Sequence, residues 1–394
     1  MLSEKDLYKR LRKHLDTMPV GFPATRSGVE LRILKHLFTP DEARVAMGMT
    51  HVFDAAETIC KRAMKNGVPQ AQCEKRLQEM VKKGSILCRA SDGASGYALV
   101  PFVVGMYEFQ IQRMTPELYE DAACYFRKAF GLTYLSTALP QMRVIPIQQS
   151  ITEDHRIATY DEIRRIIAAA EGKIGVADCI CRKGRDLIGK PCKKTDRRGL
   201  CFGFRDYFDT YQREGWIREL SEQEALDILD QSEKEGLVLQ STNEQAPQAV
   251  CACCGCCCGV LGTLKAIPNP AEFVAANFYA RVDADLCVGC GLCGDRCHMD
   301  AIEVMDKKAR VDLLKCIGCG VCVPACKPGA LRLEQKARIC VPPETTEKLY
   351  EAILAKKSRL AGIRTGIKVL RRMKLNHVRK LLSRRSPTGT DPDM

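Results

Sequence analysis

The 394-residue sequence predicts an α+β protein of several units, and three observations carry that expectation. Apolar residues recur at helical spacing between capping signals in much of the first half of the chain. Short strand-like runs interrupt them. Between Cys179 and Cys326 the chain then concentrates 18 of its 23 cysteines, leaving only Cys60, Cys73, Cys88, Cys124 and Cys340 outside.

The N-terminal elements follow in order. SEKDLYKRLRKHL is charged and helix-like, and ELRILKHLF places Leu31, Leu34, Leu37 and Phe38 on one helical face. Thr39-Pro40-Asp41-Glu42 combines an N-cap threonine, a proline at the first helical position and a glutamate three residues after the cap, so a helix should run from there to about Gly48. Further helices are predicted from Phe53 to Lys65 and from Pro69 to Lys83, stopped by Asn66-Gly67 and by Gly84. SILCRA and GYALVPFVV then read as a hairpin about Ser91-Asp92-Gly93. Residues 116–130 predict one amphipathic helix and 142–151 an extended segment. Thr159 to Glu162 and Ser221 to Glu224 predict capping boxes for helices ending at Gly172 and Gly236. Helices closing in a two-stranded hairpin resemble a winged-helix domain, a likeness of pattern over about seventy-five residues.

Composition narrows the function classes. No apolar run approaches the ~18 residues of a membrane span, and the sequence opens on charged residues rather than a signal peptide, so the expected setting is the cytoplasm. There, 23 cysteines are not expected to form a disulfide framework, and most of them should be metal ligands or catalytic thiols. Of the net charge of +13, residues 1–150 carry +6, 151–339 carry −1 and 340–394 carry +8, so basic ends flank a nearly neutral, cysteine-rich centre.

That centre contains an internal repeat. VDADLCVGCGLCGDRCHMDAIEV and VDLLKCIGCGVCVPACKPGALRL align without a gap, and Cys287, Cys290, Cys293 and Cys297 recur 29 residues later as Cys316, Cys319, Cys322 and Cys326. The spacing is C-x2-C-x2-C-x3-C, twice, on loops made tight by Gly289, Gly291, Gly318 and Gly320. Zinc ribbons also use C-x2-C pairs, but do not call for a third cysteine in each loop. Residues 278–334 are therefore similar to the bacterial two-cluster 4Fe-4S ferredoxins. The resemblance implies that Cys287, Cys290, Cys293 and Cys326 hold one cluster and Cys316, Cys319, Cys322 and Cys297 the other. The family's proline after the fourth cysteine is His298 in one repeat and Lys327, followed by Pro328, in the other.

A second field comprises Cys179, Cys181, Cys192 and Cys201, then Cys251, Cys253, Cys254, Cys256, Cys257 and Cys258. Such a field upstream of a dicluster module resembles larger multi-cluster iron-sulfur proteins of anaerobes. Thiolates at this density suit iron-sulfur, zinc or Cu(I), and one or two further iron-sulfur clusters are the expectation, with zinc and a thiol redox cluster as alternatives. The four residues Cys179, Cys181, Cys192 and Cys201 are expected to lead the ligand set. Arg182, Lys183, Arg185, Lys193, Lys194, Arg197 and Arg198 are expected to offset thiolate charge. No histidine is closer in sequence than His155 and His298, which argues against a mixed Cys/His zinc site.

The resulting division is a winged-helix-like domain at 1–110, a helical, cysteine-rich domain at 111–262, a dicluster ferredoxin domain at 263–340 and a basic helical tail at 341–394. No residue set suggests acid-base or nucleophilic catalysis. The expected role is relaying single electrons between partner oxidoreductases, as a carrier or subunit more than a stand-alone enzyme. The alternatives are a redox-sensing winged-helix regulator and an iron-sulfur subunit or activator of an oxidoreductase complex. Mixed charge on 69–83 argues against nucleic acid. A stripe of Ile363, Ile367, Leu370, Val378 and Leu381 on the basic tail suggests docking to an acidic partner or, peripherally, to the inner face of a membrane.

Overall fold

A computed structural model of the protein describes residues 3–91, 94–137, 139–152 and 157–357. The first helix, Glu4–Asp16, starts where the Ser3 hydroxyl accepts the Asp6 N–H, and it buries Leu7, Tyr8, Leu11 and Leu15. That face packs on helices Val29–Leu37 and Pro40–Ala46. The Thr39 capping box forms in both directions, and its Glu42 carboxylate also takes the ammonium of Lys83 at 2.7 Å. Helix Gln70–Lys82 lies where expected. The helix expected from Phe53 begins only at Ala56, because Asp54–Ala55 (β1) pairs with Ala94–Ala98 (β3). Strand β2 (Leu87–Ser91) completes an antiparallel sheet in the order β1-β3-β2.

One expectation about this region needs correction, and one covalent link in it was not foreseen. GYALVPFVV leaves the sheet at Ala98, since Pro101 has no N–H to continue a ladder, and Phe102–Met106 form a buried irregular turn. Cys60 and Cys73 are not free thiols: the packing of helices Ala56–Met64 and Gln70–Lys82 brings their Cα atoms to 5.6 Å, and a disulfide joins them.

The segment 116–136 is one nearly continuous helical run, Pro116–Tyr125 extended by Phe126–Phe130 and Gly131–Ser136. A six-stranded antiparallel sheet follows: β4 (Met142–Ile145), β5 (Ile174–Asp178), β6 (Gly199–Phe204), β7 (Arg218–Glu219), β8 (Val238–Thr242) and β9 (Ala249–Cys253), in the order β4-β8-β9-β6-β5-β7. Helix Glu222–Lys234 begins at the expected Ser221 capping box. The Thr159 box does not form. Residues Thr159–Asp161 make a 3-10 turn and the α-helix spans only Ile163–Ala168, because the Asp161 side chain turns inward. Its carboxylate takes the Arg143 guanidinium at 2.5 Å and the Asn277 amide at 2.6 Å, and Arg143 also stacks 4.8 Å from the Tyr160 ring.

Four further strands build the cysteine repeat: β10 (Phe278–Val282) pairs with β13 (Leu331–Gln335), and β11 (Ile302–Met305) with β12 (Lys308–Val311). Helix Thr346–Lys356 then returns to the N-terminal region, burying Leu349, Tyr350 and Ile353 and joining Arg89 to Glu347 at 3.0 Å. The expected tail stripe, Ile363 to Leu381, lies outside the described residues.

The Arg143–Asp161 pair has almost no contact with solvent and links β4 to the approach of β10 through Asn277. Removing one partner strands the other's charge, which typically costs about 3–5 kcal/mol. Denaturant titration of Asp161→Ala should show a loss of that order; a loss within ~0.5 kcal/mol, as for an exposed surface site, would contradict this role.

Candidate metal centres

The repeat folds with a local two-fold logic. Ala309 N–H donates to Cys287 Sγ at 3.3 Å, and its counterpart 29 residues earlier, Ala280 N–H, donates to Cys316 Sγ at 3.4 Å. Each repeat thus supplies an amide to the first cysteine of the other. Gly289 and Gly318 both stand at φ +70°, where a side chain would be strained. A Cβ at Gly289 would fall 2.3 Å from the Lys307 carbonyl oxygen, and one at Gly318 would fall 2.1 Å from that of Phe278, again the equivalent residue. Backbone therefore passes so close to backbone that only glycine fits.

This geometry gathers the expected sets. Cys287, Cys290, Cys293 and Cys326 surround one small cavity of about 20 Å³, joining three cysteines of one repeat to the last of the other. Cys316, Cys319 and Cys322 lie near Cys297, each pushed upward first by burial, Cys319 to about 12, and further by its neighbours' charge. Buried sulfurs this close cannot all ionise unaided, so the chemistry of the donor set calls for a compensating cation, as an iron-sulfur core provides.

The two departures from the ferredoxin pattern have different outcomes. Lys327 is exposed. His298 is buried, its Nε2 2.7 Å from the Gly236 carbonyl oxygen, while its Nδ1 accepts the Gly255 N–H at 3.1 Å. Burial holds its pKa below the ordinary value, so the ring is neutral, with Nε2 as donor. Proline could make neither bond. Gly255 lies between Cys254 and Cys256, so His298 joins the dicluster module directly to the second cysteine field. Sequence distance concealed this proximity; both ring nitrogens are nevertheless engaged, and His298 is not placed as a ligand.

The ten middle cysteines divide differently from the expected order. Cys192 comes together with Cys254, Cys256 and Cys257, not with Cys179, Cys181 and Cys201. All four sulfurs lie within 4.8 Å of one another, with individual separations of 3.5 to 3.7 Å. A tetrahedral site with metal-sulfur bonds of about 2.3 Å sets sulfurs about 3.8 Å apart, so the spacing suits a single ion. Among the described residues this is the one such tight group. Hydrogen bonding with Cys254 and Cys257 holds the Cys256 thiol far below its ordinary range, and the same sharing pushes Cys254 up to about 12. The other six form a second neighbourhood: Cys201 Sγ is 3.7 Å from Cys251 Sγ at the β6–β9 pairing, Cys179 is beside Cys181, and Cys253 is beside Cys251 and Cys258.

Arg182 lies between the two groups. It is 0% exposed, donates to the Ala252 carbonyl at 3.0 Å, and its pKa is raised by Cys179 and by Cys254, Cys192 and Cys253 despite burial. Among the described residues its Nε and Nη2 meet no oxygen or nitrogen acceptor, and the sulfurs of Cys179 and Cys192 lie within its hydrogen-bonding reach. A buried guanidinium left this way is costly unless anionic sulfur surrounds it, which fits metal-thiolate centres on both sides. The remaining basic residues do not all share this task. Arg197 pairs with Glu235 at 3.0 Å and Arg198 with Asp186 at 2.6 Å, while the Lys194 backbone N–H, 3.5 Å from Cys192 Sγ, does serve the tight set.

Replacing Gly318 by Ala should force Phe278 and the Cys316–Cys322 loop apart. The expected outcome is loss of one cluster's share of iron and acid-labile sulfide, with the other retained. Full iron content in Gly318→Ala would show that the close approach is dispensable.

The family model of the 4Fe-4S dicluster domain matches residues 279–327, the segment built by the two repeats. No curated protein and no solved structure gives a significant match to the chain. Among the described residues no helix is long and apolar enough to cross a membrane. The matched domain and the gathered cysteines make this an iron-sulfur protein with at least two clusters.

Proposed function

We propose that the protein relays single electrons between partner oxidoreductases, as a carrier or a subunit of an oxidoreductase complex. The observation that carries this reading is the His298 bridge: the matched dicluster module is bonded directly to a second, metal-ready cysteine group rather than standing apart from it. Cys287, Cys290, Cys293 and Cys326 would hold one cluster, and Cys316, Cys319, Cys322 and Cys297 the second. Bound there, such clusters supply one-electron transfer. Cys192, Cys254, Cys256 and Cys257 would hold a third centre of one metal ion, and the six remaining middle cysteines offer ligands for another. Iron at the third centre would extend the relay, whereas zinc would fasten the two modules together.

The N-terminal helices and three-stranded sheet support the winged-helix-like reading of residues 1–110, with protein rather than nucleic acid as the partner. On helix Gln70–Lys82, Arg76 is taken by Glu79 at 2.6 Å, and beyond its end Lys83 is taken by Glu42 at 2.7 Å, leaving less free charge for phosphates. Docking through the basic tail to an acidic partner or the inner membrane face, and a cytoplasmic setting, belong to the same proposal.

Anaerobic purification with iron, zinc and sulfide analysis and EPR of the reduced protein tests it. Cys319→Ala should remove or convert one cluster and abolish spin coupling between the pair; an unchanged coupled spectrum with unchanged iron would refute the interleaved assignment. Cys256→Ser should lower metal content by about one ion per chain and leave the dicluster signals intact. Metal content equal to that of the unaltered protein would rule out the third centre. His298→Ala, with both clusters retained, should slow electron transfer between the dicluster and any redox-active middle centre; an unchanged rate would reject the bridge as a route.

A further inference from the structure

A cavity of about 530 Å³ opens between the helical run 116–136 and the helix Gly259–Lys265. Its volume falls within the roughly 300–1,000 Å³ typical of small-molecule sites. It is not the imprint of a cluster. The four-cysteine cavity of the dicluster module measures only about 20 Å³, whereas two cysteines line this one, Cys181 and Cys257. They come from different groups: Cys257 belongs to the tight tetrahedral set, and Cys181 to the neighbourhood around Cys179. A molecule in the cavity would therefore touch both.

The walls specify what fits. Tyr107, Tyr119 and Phe126 give buried aromatic surface, and small residues of the helix Gly259–Lys265 give room beside it. Among the described residues Arg127, exposed at the rim, is the only charged residue in the lining. Gly259 is explained by packing, since a Cβ there would come within 3.1 Å of the Phe126 ring. Gly262 is not. It lies inside the helix, has no left-handed φ, and a Cβ built on it meets nothing within 4 Å. Glycine weakens a helix relative to alanine. What its missing side chain leaves open at this position is the cavity.

We propose that this cavity binds a flat, apolar aromatic carboxylate, its ring among Tyr107, Tyr119 and Phe126 beside the cysteine wall and its carboxylate toward Arg127. The bound molecule would lie against one cysteine of each middle group, a placement beside metal that rests on reading the middle cysteines as metal ligands.

The probe is 2-naphthoate, titrated calorimetrically under anaerobic conditions into the full-length, metal-loaded protein. Saturable one-site binding is expected, at least tenfold weaker in Gly262→Leu and in Ala266→Phe, which fill the mouth from successive turns, and weaker in Arg127→Gln. Both filling variants should keep their iron and zinc content. Absence of saturable binding into the millimolar range, or equal binding by the unaltered protein and both filling variants, would overturn the proposal. Metal analysis of the same samples judges the relay separately: a metal-free middle field that still binds naphthoate, in a manner sensitive to Gly262, rejects the metal reading and keeps the site.

Discussion

Sulfur atoms separated by 3.5 to 3.7 Å cannot all carry thiolate charge without compensation, and the centre of this protein is arranged around that constraint. Two kinds of compensation are visible. Backbone amides point at Cys287, Cys297 and Cys316 from 3.3 to 3.4 Å. The buried Arg182 guanidinium stands between the two middle groups. Metal would supply the remainder: thiols such as Cys319 and Cys254, pushed up by burial or by sharing with a neighbour, would ionise fully as its ligands.

The surrounding fold holds these groups in register. The six-stranded sheet carries Cys201 on β6 directly opposite Cys251 on β9, and the C-terminal end of β9 runs on into the loop that bears Cys254, Cys256 and Cys257. Helix Glu222–Lys234 contributes at both ends of the junction: Glu233 accepts the backbone amides of Gln148 and Gln149 at 2.7 and 3.1 Å, while the carbonyls of Glu233 and Lys234 receive Arg296 of the dicluster loop. Ile147 N–H reaches the Cys319 carbonyl at 3.1 Å. The dicluster module is thus seated by hydrogen bonds close to its cysteines, and small movements at the seat would be felt at the sulfurs.

Where local signals failed, a tertiary contact had a stronger claim on the same residue. Thr159 and Glu162 carry a capping-box pattern, yet the intervening Asp161 is drawn to Arg143 and Asn277, and a buried ion pair outweighs a cap worth about 1 kcal/mol. The Ser221 box met no such competitor and formed. His298 could be noticed in the sequence only as the wrong residue after a fourth cysteine; its partners, Gly236 and Gly255, lie 62 and 43 positions away.

Sequence alone determined the dicluster repeat, its eight cysteines and the glycines between them, because tight loops and bond spacing act over a few residues and leave a periodic trace. It also marked most helices of the N-terminal region, whose caps and apolar faces are local. The partition of the ten middle cysteines was decided by tertiary structure. Cys192 leaves its neighbours in the chain to join Cys254, Cys256 and Cys257, because the sheet brings β6 beside β9 and carries the following loop toward the end of helix Ile180–Leu187. Cavity volume, Arg182 burial and the His298 bridge likewise arise from packing between distant segments, and no short-range spacing encodes them.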